Sequence, residues 1–134
     1  MKKQIETLTA SLILEDDVLF VKMNAGIEFD ETALVELFNA SNQLAEFKKR
    51  HVIVDTRKSF NSSPGVRNLY ATDKFIKYRY SDAFIVNSLS MRLLVNFYIS
   101  VNKPKIPTKI FNDEVKAFEW ITSIKKEYIQ VHNF

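Results

Sequence analysis

The chain has no cysteine, two glycines and three prolines among its 134 residues. Without cysteine there are no disulfides, no thiolate nucleophile and no thiolate-ligated zinc, a usage compatible with a reducing cytoplasm. The two glycines, Gly26 and Gly65, stand far apart. A phosphate-cradling loop of the GxGxxG or P-loop kind needs several glycines at fixed spacing, so that backbone can approach the phosphates; both kinds are excluded. Histidine is equally scarce. His51 and His132 are the only two, neither is spaced with another ligand, and no Asp-x-Asp or His-x-x-x-His cluster occurs, so neither a metal nor another cofactor is expected. No GxSxG elbow is present, which leaves nucleophilic catalysis without a motif and a non-enzymatic role as the expectation. No apolar run approaches the roughly 20 residues that span a bilayer. Met1-Lys2-Lys3-Gln4-Ile5-Glu6 leads into alternating residues and not into an apolar signal segment, so the expected location is cytoplasmic, with no transmembrane segment.

What is present reads as one domain over residues 1–134. The hydrophobic fraction of 46% and charged fraction of 26% are those of an ordinary globular protein. The net charge is +3, with Lys and Arg spread along the chain among 16 acidic residues. A nucleic-acid domain gathers its cations on one face, so no nucleic-acid partner is expected. The stretch Lys74 to Tyr80 does interleave cations with aromatics, as stacking on single strands would need. Phe75, Ile76, Tyr78 and Tyr80 serve equally well as packing beneath a sheet edge, and that is the reading taken.

Residues 6–14, an acidic turn at Glu15-Asp16-Asp17 and the run Val18 to Met23 predict an antiparallel hairpin. Asp30 is placed to N-cap a helix running to about Lys48, with Phe29 and Leu34 as a hydrophobic staple. Lys48-Lys49-Arg50 would end that helix, where cations suit the negative end of the dipole. His51 to Asp55 is a β-branched run that is apolar on both faces, as in an interior parallel strand. Pro64 follows Ser63 as a proline in the first turn of a second helix reaching about Asp73. Ala83 to Val86 forms a strand and Leu89 to about Val101 a helix. Thr108 to Phe111 is a last strand, and a last helix is capped by Asn112. The order β-β-α-β-α-β-α-β-α predicts an α/β fold: a mostly parallel five-stranded sheet with an N-terminal antiparallel hairpin.

This order resembles the STAS (SpoIIAA-like) domain of anti-sigma factor antagonists and sulfate transporters. Val52-Ile53-Val54-Asp55 followed by Asn61-Ser62-Ser63-Pro64-Gly65 is similar to the antagonists' strand and Asp-Ser-Ser-Gly loop, with Asn for Asp and Pro64 ahead of the glycine. The resemblance implies a regulatory, protein-interaction role, with Ser62 or Ser63 standing where that family is phosphorylated; an unmodified helix cap is the alternative. The later stretch, with Asn87-Ser88, Arg92, Asn96, Lys103 to Pro107, Phe111 and Ala117-x-x-Trp120, is similar to small bacterial proteins of this fold without an established activity. Lipid-exchange (Sec14-like) domains share a similar arrangement, which implies a second use of the scaffold.

Ligands of open α/β sheets sit beyond the carboxyl ends of the strands. Asp55, Thr56 and Arg57 fall in one such loop and Asn87, Ser88 and Ser90 in another. Ser62, Ser63, Arg67 and Arg92 lie at the two helix N-termini that open there, and the set is the candidate site for a small anion or a protein partner. Ser63 and Ser88 acting only as caps, with the arginines solvated or paired to Asp55, is the alternative. The aromatic count, with 11 phenylalanines, exceeds what one small core absorbs. If right-handed crossovers put the helices on one sheet face, the other face needs a cover, and a homo-dimer or higher homo-oligomer is expected. A binder of a small lipid or apolar carboxylate, with aromatic helices as pocket walls, is the competing function; it predicts an apolar cavity.

Overall fold

A computed structural model describes residues 2–58 and 60–132, with side chains through residue 129. The hairpin is β2 (Ala10–Glu15) and β3 (Val18–Met23), in which Leu12 stands opposite Val21 and Glu15 opposite Val18. That register leaves a two-residue turn, and Asp16 takes φ 55°, a left-handed conformation that aspartate tolerates better than most residues. Ahead of it, β1 (Lys2–Glu6) adds a mostly exposed antiparallel edge strand. The sheet therefore has six strands where five are expected from the sequence. It runs β1-β2-β3-β5-β7-β8, with β5 (Arg50–Asp55), β7 (Arg79–Ile85) and β8 (Thr108–Phe111) parallel to β3. A separate two-stranded ribbon pairs β4 (Glu28–Phe29) with β6 (Asn61–Ser62).

Helix α1 (Glu31–Leu44) starts as expected. Asp30 accepts from the Ala33 amide at 2.9 Å, and Phe29 packs with Leu34. Its end differs from the expectation: Glu46 and Phe47 turn the chain with φ 52° and 60°, and Arg50 opens β5 as a buried residue. The predicted second helix is two pieces, α2 (Pro64–Tyr70) and α3 (Asp73–Ile76). Helix α4 (Leu89–Phe97) passes into a π-helical turn, Tyr98–Asn102. The cap of α5 (Glu114–His132) is Asp113 and not Asn112: Asp113 Oδ1 accepts from the Lys116 amide at 2.9 Å.

Alternation along β5 sends Val52 and Val54 into the core beneath α1, α2 and α4, and Ile53 to the opposite face. There α5 covers it, with Ala117 and Ile121 packed on Ile53, Ala83 and Ile85. The expectation of helices on one face only is thus corrected. Right-handed crossovers constrain helices that join two parallel strands, and α5 joins no two of the described strands. Much of the apolar surface expected to need a second copy is covered by this helix. Phe20 stacks on Phe118 at 6.3 Å and Phe111 meets Trp120 at 5.6 Å.

Candidate functional site

Asp55, the last residue of β5, is buried and accepts three bonds from Arg57: the amide at 3.0 Å, Nε at 3.0 Å and Nη2 at 2.7 Å. Burial pushes the Asp55 carboxyl up, but Arg57, with Lys22, outweighs this and holds it below the ordinary carboxylate value. Arg57 also reaches Glu114 at 2.7 Å, tying the strand end to α5. Thr56 is buried and gives its hydroxyl to the Ile85 carbonyl at 2.8 Å. Ser88 caps α4, accepting from the Met91 amide at 3.2 Å. Arg92 donates to Asn112, and Asn87 and Ser90 are exposed. At α2, Ser63 donates to Glu31 at 2.6 Å. A Cβ added to Gly65 would meet that same carboxylate at 2.7 Å, so a carboxylate of the chain itself occupies the start of α2. Arg67 lies over the Phe97 ring at 5.3 Å. The predicted residues do gather at the carboxyl edge, with Asp55–Arg57, Ser63–Glu31 and Arg92–Asn112 as separate contacts.

Three of them, Thr56, Ser62 and Arg67, belong to a larger feature: a cavity of about 130 Å³ between the sheet and helices α1, α2 and α4. Its walls are apolar, among them Val54, Leu37, Val66 and Val95. Half-exposed Phe60, Ser62 and Arg67 place its rim at the strand carboxyl edge. Arg50 and Arg79 bring it to the opposite strand ends. From Arg50 to Thr56 a strand covers about 20 Å at roughly 3.3 Å per residue, so the lining is elongated.

The inner end is the most polar part of the core. In the pairing of β5 with β7, Arg50 stands opposite Arg79 but His51 opposite Ser81. Tyr80 is thus an extra, bulged residue. A bulge breaks the two-residue alternation, and Arg79 and Asp82 can face each other despite their odd spacing. Their bond is bidentate, Nε to Oδ1 at 3.0 Å and Nη2 to Oδ2 at 2.9 Å, and Asp82 is fully buried. Arg79 also donates to the carbonyls of Phe75 (2.7 Å) and Tyr70 (3.2 Å) and lies 3.7 Å from the Tyr70 ring centre. Burial lowers its proton affinity, yet Asp82 and the tyrosines outweigh burial and raise it. Arg50 is served less completely. Nη1 donates to the Lys48 carbonyl at 3.0 Å and Nη2 to Asn42 Oδ1 at 2.6 Å, while the buried Nε has no partner. The buried Tyr98 hydroxyl, at the start of the π turn, makes no well-aligned hydrogen bond and neighbours the Arg79 guanidinium. Buried polar groups left unpaired cost about 1–3 kcal/mol each.

On the α5 face, His51 Nδ1 lies 2.7 Å from the Ser81 hydroxyl, a serine–histidine contact that sequence reading does not anticipate. Ser81 is fully buried and His51 stacks on Tyr80 at 5.0 Å. Burial lowers the His51 pKa from its ordinary 6.5, opposed by Asp17 and aided by Lys125. Below about pH 6.5 the unfolded chain binds a proton that the folded one refuses, so stability falls as pH drops through that value. Urea midpoints should decline from pH 7 toward pH 5, and His51→Gln should flatten that decline. An unchanged slope in the variant would refute the assignment. The His132 side chain lies outside the described residues.

Among the described residues no cluster of three or more acidic or histidine side chains is placed to hold a metal ion. No described helix is long and apolar enough to cross a membrane. Sequence reading missed Arg50, Arg79, Asp82, Tyr70 and Tyr98. The available signal was Arg50 and the pair Arg79/Asp82 flanking apolar strand residues, where a charge must find a partner indoors.

The model of the domain of unknown function DUF7793 matches residues 12–125. An uncharacterized protein of the DUF3478 family from Shewanella loihica PV-4, described as having a SpoIIAA-like fold, is similar in structure with a TM-score of 0.55. Identity is 12%, and the match covers 90% of this chain and 91% of that one. The likeness carries the fold: the chain has a SpoIIAA-like, STAS-type architecture. No curated protein matches the sequence.

Proposed function

We propose that this chain, which belongs to the DUF7793 family of domains of unknown function, is a non-enzymatic binding protein that holds one small apolar ligand in the cavity beneath α1, α2 and α4. The cavity carries this reading. Its apolar walls lack packing partners, and filling 130 Å³ would return at most about 3 kcal/mol at roughly 24 cal/mol per Å³, a large share of a domain's stability. An apolar ligand recovers those contacts. The carboxyl edge supports the reading by what it already contains: Arg57 is taken by Asp55 and Glu114, and Glu31 fills the start of α2. The Ser81–His51 contact supports a non-catalytic role, because Ser81 is closed to substrate. Native mass spectrometry of gently purified protein should show an apolar adduct of about 100–150 daltons, the size such a cavity admits, that is lost on denaturation. A bare native mass, together with no shift of cavity amide signals on adding 1-octanol, would sink the proposal. A phosphate-sized increment that survives denaturation would instead favour a regulatory site at Ser62 or Ser63.

A second reading, pairing of two copies, is favoured by one observation. Leu89, Leu93, Phe97 and Val101 recur every four residues along α4 and its π turn, and each is exposed by about half or more. Two such stripes crossing about a twofold axis would bury each other, as an isologous interface does. A strict monomer in sedimentation at tens of micromolar would end this reading.

A further inference from the structure

We infer that the ligand of this cavity is a monoanion, an apolar carboxylic acid of about six to eight carbons, whose carboxylate accepts the free Nε–H of Arg50. The inference rests on the cavity being a ligand site. What it adds is the chemistry of the ligand's head, and charge bookkeeping inside the core argues for it. Three charged groups stand at the inner end: Arg50, Arg79 and Asp82. Asp82 cancels Arg79 through the bidentate bond. Arg50 is bonded to a backbone carbonyl and a side-chain amide, both neutral, and no carboxylate among the described residues pairs with it. Burial lowers its pKa to about 10, which still leaves it protonated at neutral pH. The Tyr78 ring, 5.7 Å from the guanidinium carbon, is a weak partner, so one positive charge, 3% exposed, has no carboxylate beside it in an apolar wall, where an opposite charge is worth most.

The shape of the vacancy selects among anions. Guanidinium presents planar N–H donors that fit a carboxylate. One carboxylate brings the net charge of the site to zero, whereas a phosphate dianion would overshoot it. Between this inner end and the rim, where Thr56, Ser62 and Arg67 stand, the wall is mostly apolar and suits a hydrocarbon chain. The Tyr98 hydroxyl, which neighbours the Arg79 guanidinium, lines the same cavity and keeps its proton to donate to an acid. A cavity of 130 Å³ is near the size that holds one benzene ring, which limits the chain to a short acyl or an aryl group. An amine of the same length would meet Arg50 charge against charge.

Titration of isotope-labelled full-length protein with octanoate, 1-octanol and octylamine tests this. Octanoate should bind at least tenfold more tightly than octanol, and octylamine more weakly than either. Arg50→Met should lower octanoate affinity at least tenfold and leave octanol unchanged. Equal binding of octanoate and octanol by the wild-type protein overturns the inference while leaving the cavity a ligand site. If no compound moves the cavity signals, the cavity reading itself fails and this inference with it. Should Arg50→Met not fold, the wild-type comparison of the three heads decides alone.

Discussion

Asp82→Ala should destabilise the fold by about 3–5 kcal/mol, the usual cost of removing one partner from a buried ion pair. Asp82 is wholly buried and receives two bonds from Arg79. With the carboxylate gone, Arg79 keeps its bonds to the carbonyls of Phe75 and Tyr70, but neither is a counter-charge. The guanidinium would then add to the charge of Arg50 across the pairing of β5 with β7, where the two stand opposite each other. At about 2–4 °C per kcal/mol for a chain near this size, the midpoint should drop by roughly 6–20 °C. The double variant Asp82→Leu with Arg79→Met should recover part of the loss, since it removes both charges. It leaves two carbonyls without their donor, so recovery stays incomplete. Urea unfolding of the three proteins gives the comparison. A loss below about 1 kcal/mol for Asp82→Ala would show that water reaches the pair and that the core is not sealed as described.

The sequence carries the framework of this fold in its periodicities, and the differences trace to particular residues. Val18 to Met23, His51 to Asp55 and Thr108 to Phe111 are strands in both readings, because β-branched and aromatic runs bounded by turns have few other uses. Strand β1 escapes notice because Lys2–Glu6 is exposed and polar, and an edge strand is held by its neighbour's backbone. Arg50 sits in a run of three cations that reads as a helix end. Only the early exit at Leu44, through two left-handed residues, turns the third cation inward. The cavity is less legible still. It is a mismatch in packing between α1, α2, α4 and the sheet, and volume left unfilled has no local pattern. Thr56, Ser62 and Arg67 were reachable from the rule that ligands gather at strand carboxyl ends, and they mark the rim. The inner end depends on the bulge at Tyr80, a register event between strands distant in sequence.

Filling the cavity should separate ligand binding from folding. Val66 lies on α2, is 5% exposed, and lines the cavity beside Leu34 and Phe75. Val66→Phe would project a ring into the void from a seven-residue helix, short enough to shift slightly as it accommodates the change. In a filled core such an enlargement costs about 1–3 kcal/mol. Here the added carbons meet empty space, and regained contacts offset the strain. Stability should therefore stay within about 1 kcal/mol of the parent, while octanoate and octanol both lose more than tenfold in affinity. Loss of both ligands distinguishes this variant from Arg50→Met, which should spare the alcohol. A protein that keeps its affinity with Val66→Phe must bind the chain elsewhere, and one that unfolds has no void at that position. The two variants together assign apolar contact to the α2 side of the cavity and charge recognition to its inner end.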